Sequence, residues 1–336
     1  MRALIVWQDN FAAFKAHRRG YFALWALGLV FALSLCAPLL ANDKPLLLGY
    51  RGQVYSPVYQ SIPEQTFGVG FLPTEADYAN PAVRAAISAH GWMVFPPIPY
   101  SGNSIAWEAT AAPAPPSARH WLGTDAFARD VLARLLYGLR ASLLFGLALS
   151  FGACALGLAA GIAQGFYGGV VDLLGQRFTE IWSGLPLLFI LLILGSVFAP
   201  GFAILLVVLL AFSWMYLANL VRAEALRIRQ LDYIAVARIT GVSDARIMLR
   251  HVLPNAAIAA FTFVPFLLAD SIALLASLDF LGFGLPAGAP SLGEMLAEAR
   301  ENVFAPWLGV SACLTLASLL LLLTAAGEAM RAVFNR

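Results

Sequence analysis

Along most of this chain, long apolar stretches alternate with short polar ones, and the apolar residues run consecutively instead of marking one face of a helix. Six stretches stand out, at 21–41, 141–165, 181–199, 201–221, 257–278 and 308–326. An α-helix needs about 20 such residues to cross roughly 30 Å of hydrocarbon. The pattern therefore predicts an all-α polytopic membrane protein with six transmembrane helices and both termini on one side. A long polar stretch separates the first two runs. It carries eleven prolines between positions 45 and 116, too many for long helices or central strands, so it is expected to be an irregular external insertion of short strands and turns. The chain divides accordingly into 1–41 (tail and first helix), 42–120 (insertion) and 121–336 (a core of five helices).

Composition agrees with that pattern. The 336 residues are 60% hydrophobic and 12% charged, with a mean hydropathy of +0.78, whereas soluble domains are about half apolar and about a quarter charged. Lys and Arg near helix ends set orientation. Arg2, Lys15, Arg18 and Arg19 precede the first run, and Arg222, Arg227, Arg229, Arg238, Arg246 and Arg250 follow the fourth. Both segments are expected on the cytoplasmic side, and with them both termini. Between the fifth and sixth runs Glu294, Glu298 and Glu301 outnumber Arg300, which suits an external loop. A net charge of +2 is too small to argue for a nucleic-acid partner. The first run exceeds the length of a secretory signal and reads as a retained helix.

Two local patterns predict packing. Gly157, Gly161, Gly165 and Gly169 recur every four residues, with Ala153 one step earlier, and form a ridge that another helix can approach closely. Ahead of them, Thr124 or Asp125 can cap a helix carrying Phe127, Val131, Leu132, Leu135 and Leu136 on one face. That helix is expected to lie along the outer membrane surface.

The most informative segment is the basic loop 222–256. Asp232 can cap a short helix containing Tyr233, Ala235, Ala237 and Arg238, which Gly241 can end in the left-handed conformation. Ser243 or Asp244 can cap a second helix leading through His251 and Leu253, and Pro254 can close the unit. Such a helix–Gly–helix elbow beside the membrane is a compact knob through which a soluble motor could push on membrane helices.

Here the residues carry a resemblance. The loop is similar to the signature of binding-protein-dependent ABC importer permeases, in which Glu-Ala-Ala, three residues, Gly, nine residues and Ile-x-Leu-Pro form coupling helices that dock into an ATPase. Gly241, Leu253 and Pro254 stand at that spacing and Ala237 at the second alanine, while Ala235, Val236 and His251 depart from Glu, Ala and Ile. Trp121-Leu122-Gly123-Thr124-Asp125, Arg129-Asp130-Val131-Leu132-Ala133-Arg134 and Leu278-Asp279-Phe280-Leu281-Gly282-Phe283-Gly284-Leu285-Pro286 resemble the "C" subunits of dipeptide and oligopeptide permeases. The long insertion, with Asp43-Lys44-Pro45 and Gly91-Trp92-Met93, is most similar to a branch associated with uptake of oligopeptides and the peptide antibiotic microcin C. The resemblance implies the type I importer permease fold in the bacterial inner membrane. It also implies a second, B-type permease subunit, two ATPase domains or subunits that hold ATP and Mg, a periplasmic solute-binding protein and a peptide substrate.

No Gly-x-x-x-x-Gly-Lys-[Ser/Thr] cradle occurs, so the chain is expected to bind no nucleotide or other cofactor itself and to be no enzyme. His17, His90, His120 and His251 share no metal-ligand spacing. Asp270 is an acid well inside an apolar run; with Phe263 and Phe266 it is a candidate for lining the solute pathway, or else it pairs within the bundle. The competing readings are a secondary transporter, which would show more ionisable groups within its helices, and a permease for another small solute such as nickel, an opine or a sugar.

Overall fold

The computed structural model describes residues 17–69, 73–107, 111–198 and 201–334; Arg2 and Lys15 of the basic tail lie outside the described residues. Helix α1 (Arg18–Leu35) carries the first apolar run. The run was expected unbroken to 41, but after Cys36 a separate short helix α2 (Ala37–Leu40) begins, with Pro38 in its first turn. Proline has no N–H to continue the preceding helix, which accounts for the break. The insertion then forms a three-stranded antiparallel sheet, in which β1 (Leu47–Tyr50) lies between β2 (Gln53–Tyr55) and β3 (Gly91–Val94). Arg51 and Gly52 turn the first hairpin with φ of 47° and 81°, both positive as a two-residue type I′ turn requires. Helix α3 (Pro81–His90) starts at a proline, where the missing N–H costs nothing, and the Asn80 side chain accepts from the Ala82 N–H.

The remaining helices are α4 (Val131–Tyr167), α5 (Gly169–Ser183), α6 (Leu187–Val197), α7 (Phe202–Arg229), α8 (Asp232–Ile239), α9 (Asp244–Phe261), α10 (Val264–Phe280), α11 (Leu292–Glu301) and α12 (Pro306–Phe334). Among the described residues, α4, α7 and α12 are each long and apolar enough to cross a membrane, and the count reaches five if the bent pairs α5–α6 (69°) and α9–α10 (54°) are one span each. Pro186 precedes α6 and Pro265 lies in the first turn of α10, so both bends have the usual cause of a helix kink. Helix α1, 18 residues long and beginning with Arg18 and Arg19, falls outside this count.

The chain separates into two units, Met1–Gly28 with Leu143–Pro286 and Leu316–Arg336, and Leu29–Ser142 with Ala287–Thr315. In the first, the glycine ridge of α4 packs on α7. A Cβ on Gly157 would lie 2.9 Å from Leu217 Cβ, one on Gly161 2.5 Å from the Ala218 carbonyl, and one on Gly165 2.6 Å from the Arg222 carbonyl. Gly169 does not extend the ridge: α4 ends at Tyr167, and Gly168 and Gly169 make the turn into α5 with φ of 64° and 53°. Gly161→Val is therefore expected to lower stability by about 1–3 kcal/mol through overpacking. Gly28, with nothing within 4 Å of an added Cβ, is the control, and thermal melts of Gly161→Val and Gly28→Ala in lipid nanodiscs would compare them.

The second unit has two centres. Leu48, Tyr50, Ile62, Phe67, Val83 and Ile87 give the insertion its own core. The other centre is ionic. Asp125 accepts from the Phe127 and Arg129 backbone N–H groups and from Arg129 Nε at 2.6 Å. Arg129 Nη2 also donates to Glu298 (2.6 Å), Arg134 Nη2 donates to Glu294 (2.6 Å), and His120 Nδ1 lies 2.8 Å from Asp130. Arg134 is 0% exposed; its Nε is 3.3 Å from Asp125 without hydrogen-bond alignment, and its Nη1 and Glu298 Oε2 have no hydrogen-bond partner among the described residues. Because Asp125 is committed to the arginines, the cap of the following helix falls to Asp130, which accepts from the Ala133 N–H. This corrects the expectation of a separate surface helix capped by Thr124 or Asp125: residues 125–130 are non-helical, and Val131, Leu132, Leu135 and Leu136 belong to α4, a continuous helix of 37 residues.

Burial raises the Glu298 carboxyl to about 7, over the opposing pull of Arg134 and Arg129. A carboxyl that is harder to ionise when folded adds stability below its ordinary value near 4.5, and loses it as pH rises through about 7. The loss is on the order of 3 kcal/mol at 1.36 kcal/mol per unit. Melting curves at pH 5 and pH 8 should show the native protein falling further than Glu298→Gln; parallel curves would refute the assignment.

Candidate coupling site

Helices α8 and α9 form the elbow predicted from the basic loop. Ile234 and Ile247 are fully buried, one from each helix, in a core shared with Ile162 and Phe166 of α4 and with Val221, Ala225 and Ile228 of α7. The knob is thus seated on the ends of two membrane helices. Helix α8 ends in a Schellman turn: the Gly241 N–H donates to the Arg238 carbonyl and the Val242 N–H to the Ala237 carbonyl, each at 3.0 Å. Gly241 has φ of 80° and open space around an added Cβ, so glycine is favoured there by conformation and not by crowding.

Neither helix is capped as its sequence suggests. Leu231 and Ser243 occupy the cap positions without a side-chain cap bond, and Asp232 and Asp244 are the first helical residues. There their carboxylates still favour the positive ends of the helix dipoles. Asp244 lies 3.6 Å from Arg238 across the turn, and the Arg238 guanidinium sits 4.9 Å from the Phe166 ring centroid. The rings of Tyr233 and His251 are 5.9 Å apart. The fold therefore brings Arg238 to Asp244 and Tyr233 to His251, tying the two helices together. Ala237 and Leu253 pack against the buried core, while Ala235 and Pro254 are exposed.

Pro254 does not close the unit as expected. It lies in the continuous helical segment α9, just after a wider π turn at Met248–Val252 in which the Leu253 N–H reaches the Met248 carbonyl five residues back. The wider turn carries the helix past a residue that lacks an N–H. The elbow is consequently joined, without a loop, to the helix that leads into the α9–α10 span.

Exposed apolar residues were missed in the sequence. Ile239 is 85% exposed at the tip of α8, and Val236 and Leu249 also face outward. The available signal was phase: once Ile234 and Ala237 face the core, positions 236 and 239 fall on another face of the helix.

Of the pathway candidates, Phe263 packs under Arg331, 5.6 Å from its ring centroid, and Phe266 fills the space beside Gly327. Asp270 is exposed on α10 and makes no hydrogen bond or ion pair among the described residues.

Comparison with known proteins follows the same residues. The family described as "Binding-protein-dependent transport system inner membrane component" matches residues 156–336, which include the elbow and leave the insertion outside. The chain is 50% identical over 329 residues to the "Inner membrane ABC transporter permease protein YejE" of Escherichia coli (strain K12), covering 98% of this chain and 96% of that one. It is 46% identical to the "Peptidoglycan transport system permease protein YejE" of Agrobacterium fabrum, covering 98% and 91%. The "Oligopeptide transport system permease protein OppC" of Lactococcus lactis subsp. cremoris is 33% identical over 66% of this chain and 77% of its own.

Proposed function

The chain belongs to the family of binding-protein-dependent transport system inner membrane components, and from that premise we propose that it works as one permease subunit of an importer for peptides or peptide-like solutes. It is a multi-pass, mostly helical inner-membrane permease of the ABC type, with a small three-stranded sheet in its insertion. Hydrolysis of ATP, with Mg, takes place on two partner ATPase domains. They dock on the elbow around Gly241, where Asp232, Tyr233, Arg238, Asp244 and His251 fix its shape. A second permease subunit completes the pathway, and a periplasmic binding protein delivers the solute. The termini and the elbow lie on the cytoplasmic side, where the positive charges gather.

The observation that carries this reading is the elbow itself: a two-helix knob with an exposed apolar tip, seated on membrane helices and continuous with one of them. Relatives are named for oligopeptide and for peptidoglycan transport, and both kinds of compound contain peptide bonds, which supports a peptide-like solute. Asp270 is the pathway residue best placed to meet a cationic group, because a carboxylate facing lipid costs about 2.5–3.5 kcal/mol. The test is ATP hydrolysis and peptide uptake by the complete transporter in liposomes, with and without binding protein and peptide. Stimulation by peptide-loaded binding protein is expected; uptake that follows an ion gradient without ATP would replace the reading with secondary transport.

A further inference from the structure

The external unit contains an open cavity of about 1250 Å³, larger than most small-molecule sites and unused by the coupling mechanism. One wall is the strip Phe95-Pro96-Pro97-Ile98-Pro99-Tyr100, whose prolines offer ring faces and carbonyls but no N–H. Trp107 and Trp121 also line it and are 82% and 60% exposed, so large aromatic surfaces stand uncovered there.

Arg84 lines the same cavity and is held in place. Its Nε donates to the Tyr78 carbonyl at 2.6 Å, and its guanidinium lies 5.3 Å from the Phe95 ring centroid. Its two Nη groups make no hydrogen bond or ion pair among the described residues. A fixed guanidinium with an open fork selects carboxylates. Asp43 and Asp77 supply the opposite charge in the same cavity. Asp77 uses one oxygen to hold the Ala79 N–H at 2.8 Å, and Asp43 has a 3.5 Å contact with Ser101 Oγ. Carboxylates suit an ammonium group, and ring faces suit both apolar side chains and cations.

We propose that this cavity is an external binding site for short peptides with free termini. Arg84 receives the terminal carboxylate, Asp43 or Asp77 receives the ammonium, and the proline and aromatic wall holds the side chains between them. The proposal rests on the peptide reading above and adds to it a place where the peptide is held outside the membrane helices.

The test is isothermal titration of the purified permease pair in lipid nanodiscs, without binding protein or ATP, using the pentapeptide Ala-Ala-Phe-Ala-Ala, its C-terminal amide and its N-acetyl form. Both blocked forms should bind about tenfold more weakly, the loss of one charge-assisted contact. Arg84→Gln should weaken the free peptide to the level of the amide and leave the amide unchanged. If that variant does not fold, the comparison of peptides on the native protein decides alone. Equal affinity for the three peptides, or no binding of any, would overturn the proposal. It would also be overturned if Arg84→Gln and Trp121→Ala bind peptide normally but need more binding protein for half-maximal ATPase stimulation, since the cavity would then be a protein dock. ATP-driven uptake of the same pentapeptide, measured in parallel, separates the two ideas. If uptake persists, the importer reading stands whatever the cavity does; if it is absent, that reading fails.

Discussion

Replacing Arg134 with leucine is expected to cost the protein about 3–5 kcal/mol, the range for removing one partner from a buried charge network. The side chain is wholly buried, and its loss leaves Asp125, Glu294 and Glu298 facing one another with Arg129 as the one arginine paired with them among the described residues. Arg134→Lys should recover little, because a single ammonium cannot serve carboxylates in several directions as a planar guanidinium does. The control is Arg177→Gln, which breaks an exposed pair with Glu180 and should change stability by less than about 1 kcal/mol. Thermal melts and the yield of assembled complex would measure both. A melt of Arg134→Leu matching the control would mean that the ionic centre contributes nothing to folding.

The second large effect is expected at Ile239, and it is functional. Its side chain touches little of its own chain, so Ile239→Asp should leave melting unchanged. On the proposed docking surface Ile239 is an exposed apolar anchor, and its loss should reduce ATPase stimulation by peptide-loaded binding protein about tenfold or more. Ile239→Gln separates lost apolar contact from added charge. Gly241→Asn is a milder companion, since asparagine tolerates the left-handed conformation and the space around Gly241 is open. Gly241→Val adds backbone strain of about 1–2 kcal/mol. Full stimulation in Ile239→Asp would move the docking surface elsewhere on the chain.

The apolar runs at 141–165, 201–221 and 308–326 were legible because each falls on one helix whose backbone is satisfied internally in lipid, so span and composition carry the information locally. The runs at 21–41, 181–199 and 257–278 are each broken, near Pro38, Pro186 and Pro265. The left-handed turn at Gly241 was legible for the same reason: its hydrogen bonds join residues five apart or fewer. What could not be read depended on distant partners. Asp125 could not be seen to abandon a cap for Arg129 and Arg134, because that choice is tied to Glu294 and Glu298 from another part of the chain. Pro254 looked like a stop, and the π turn that carries α9 past it leaves no sequence signature of its own. The ridge glycines were recognisable by spacing, yet spacing alone could not separate Gly169, which turns the chain, from Gly165, which packs.

The close approach of α4 to α7 also has a thermal consequence. Two helices that meet inside a bilayer exchange lipid contacts for protein contacts, and water is not released. Their association therefore lacks the heat-capacity change of apolar burial from water, and with it the weakening on cooling that loosens soluble cores. The seam at Gly157, Gly161 and Gly165, made of backbone against backbone, should hold nearly as firmly in a cold membrane as in a warm one. The water-facing core of the insertion, built from Leu48, Phe67 and Ile87, has no such protection and would be the first part of the protein to loosen in the cold.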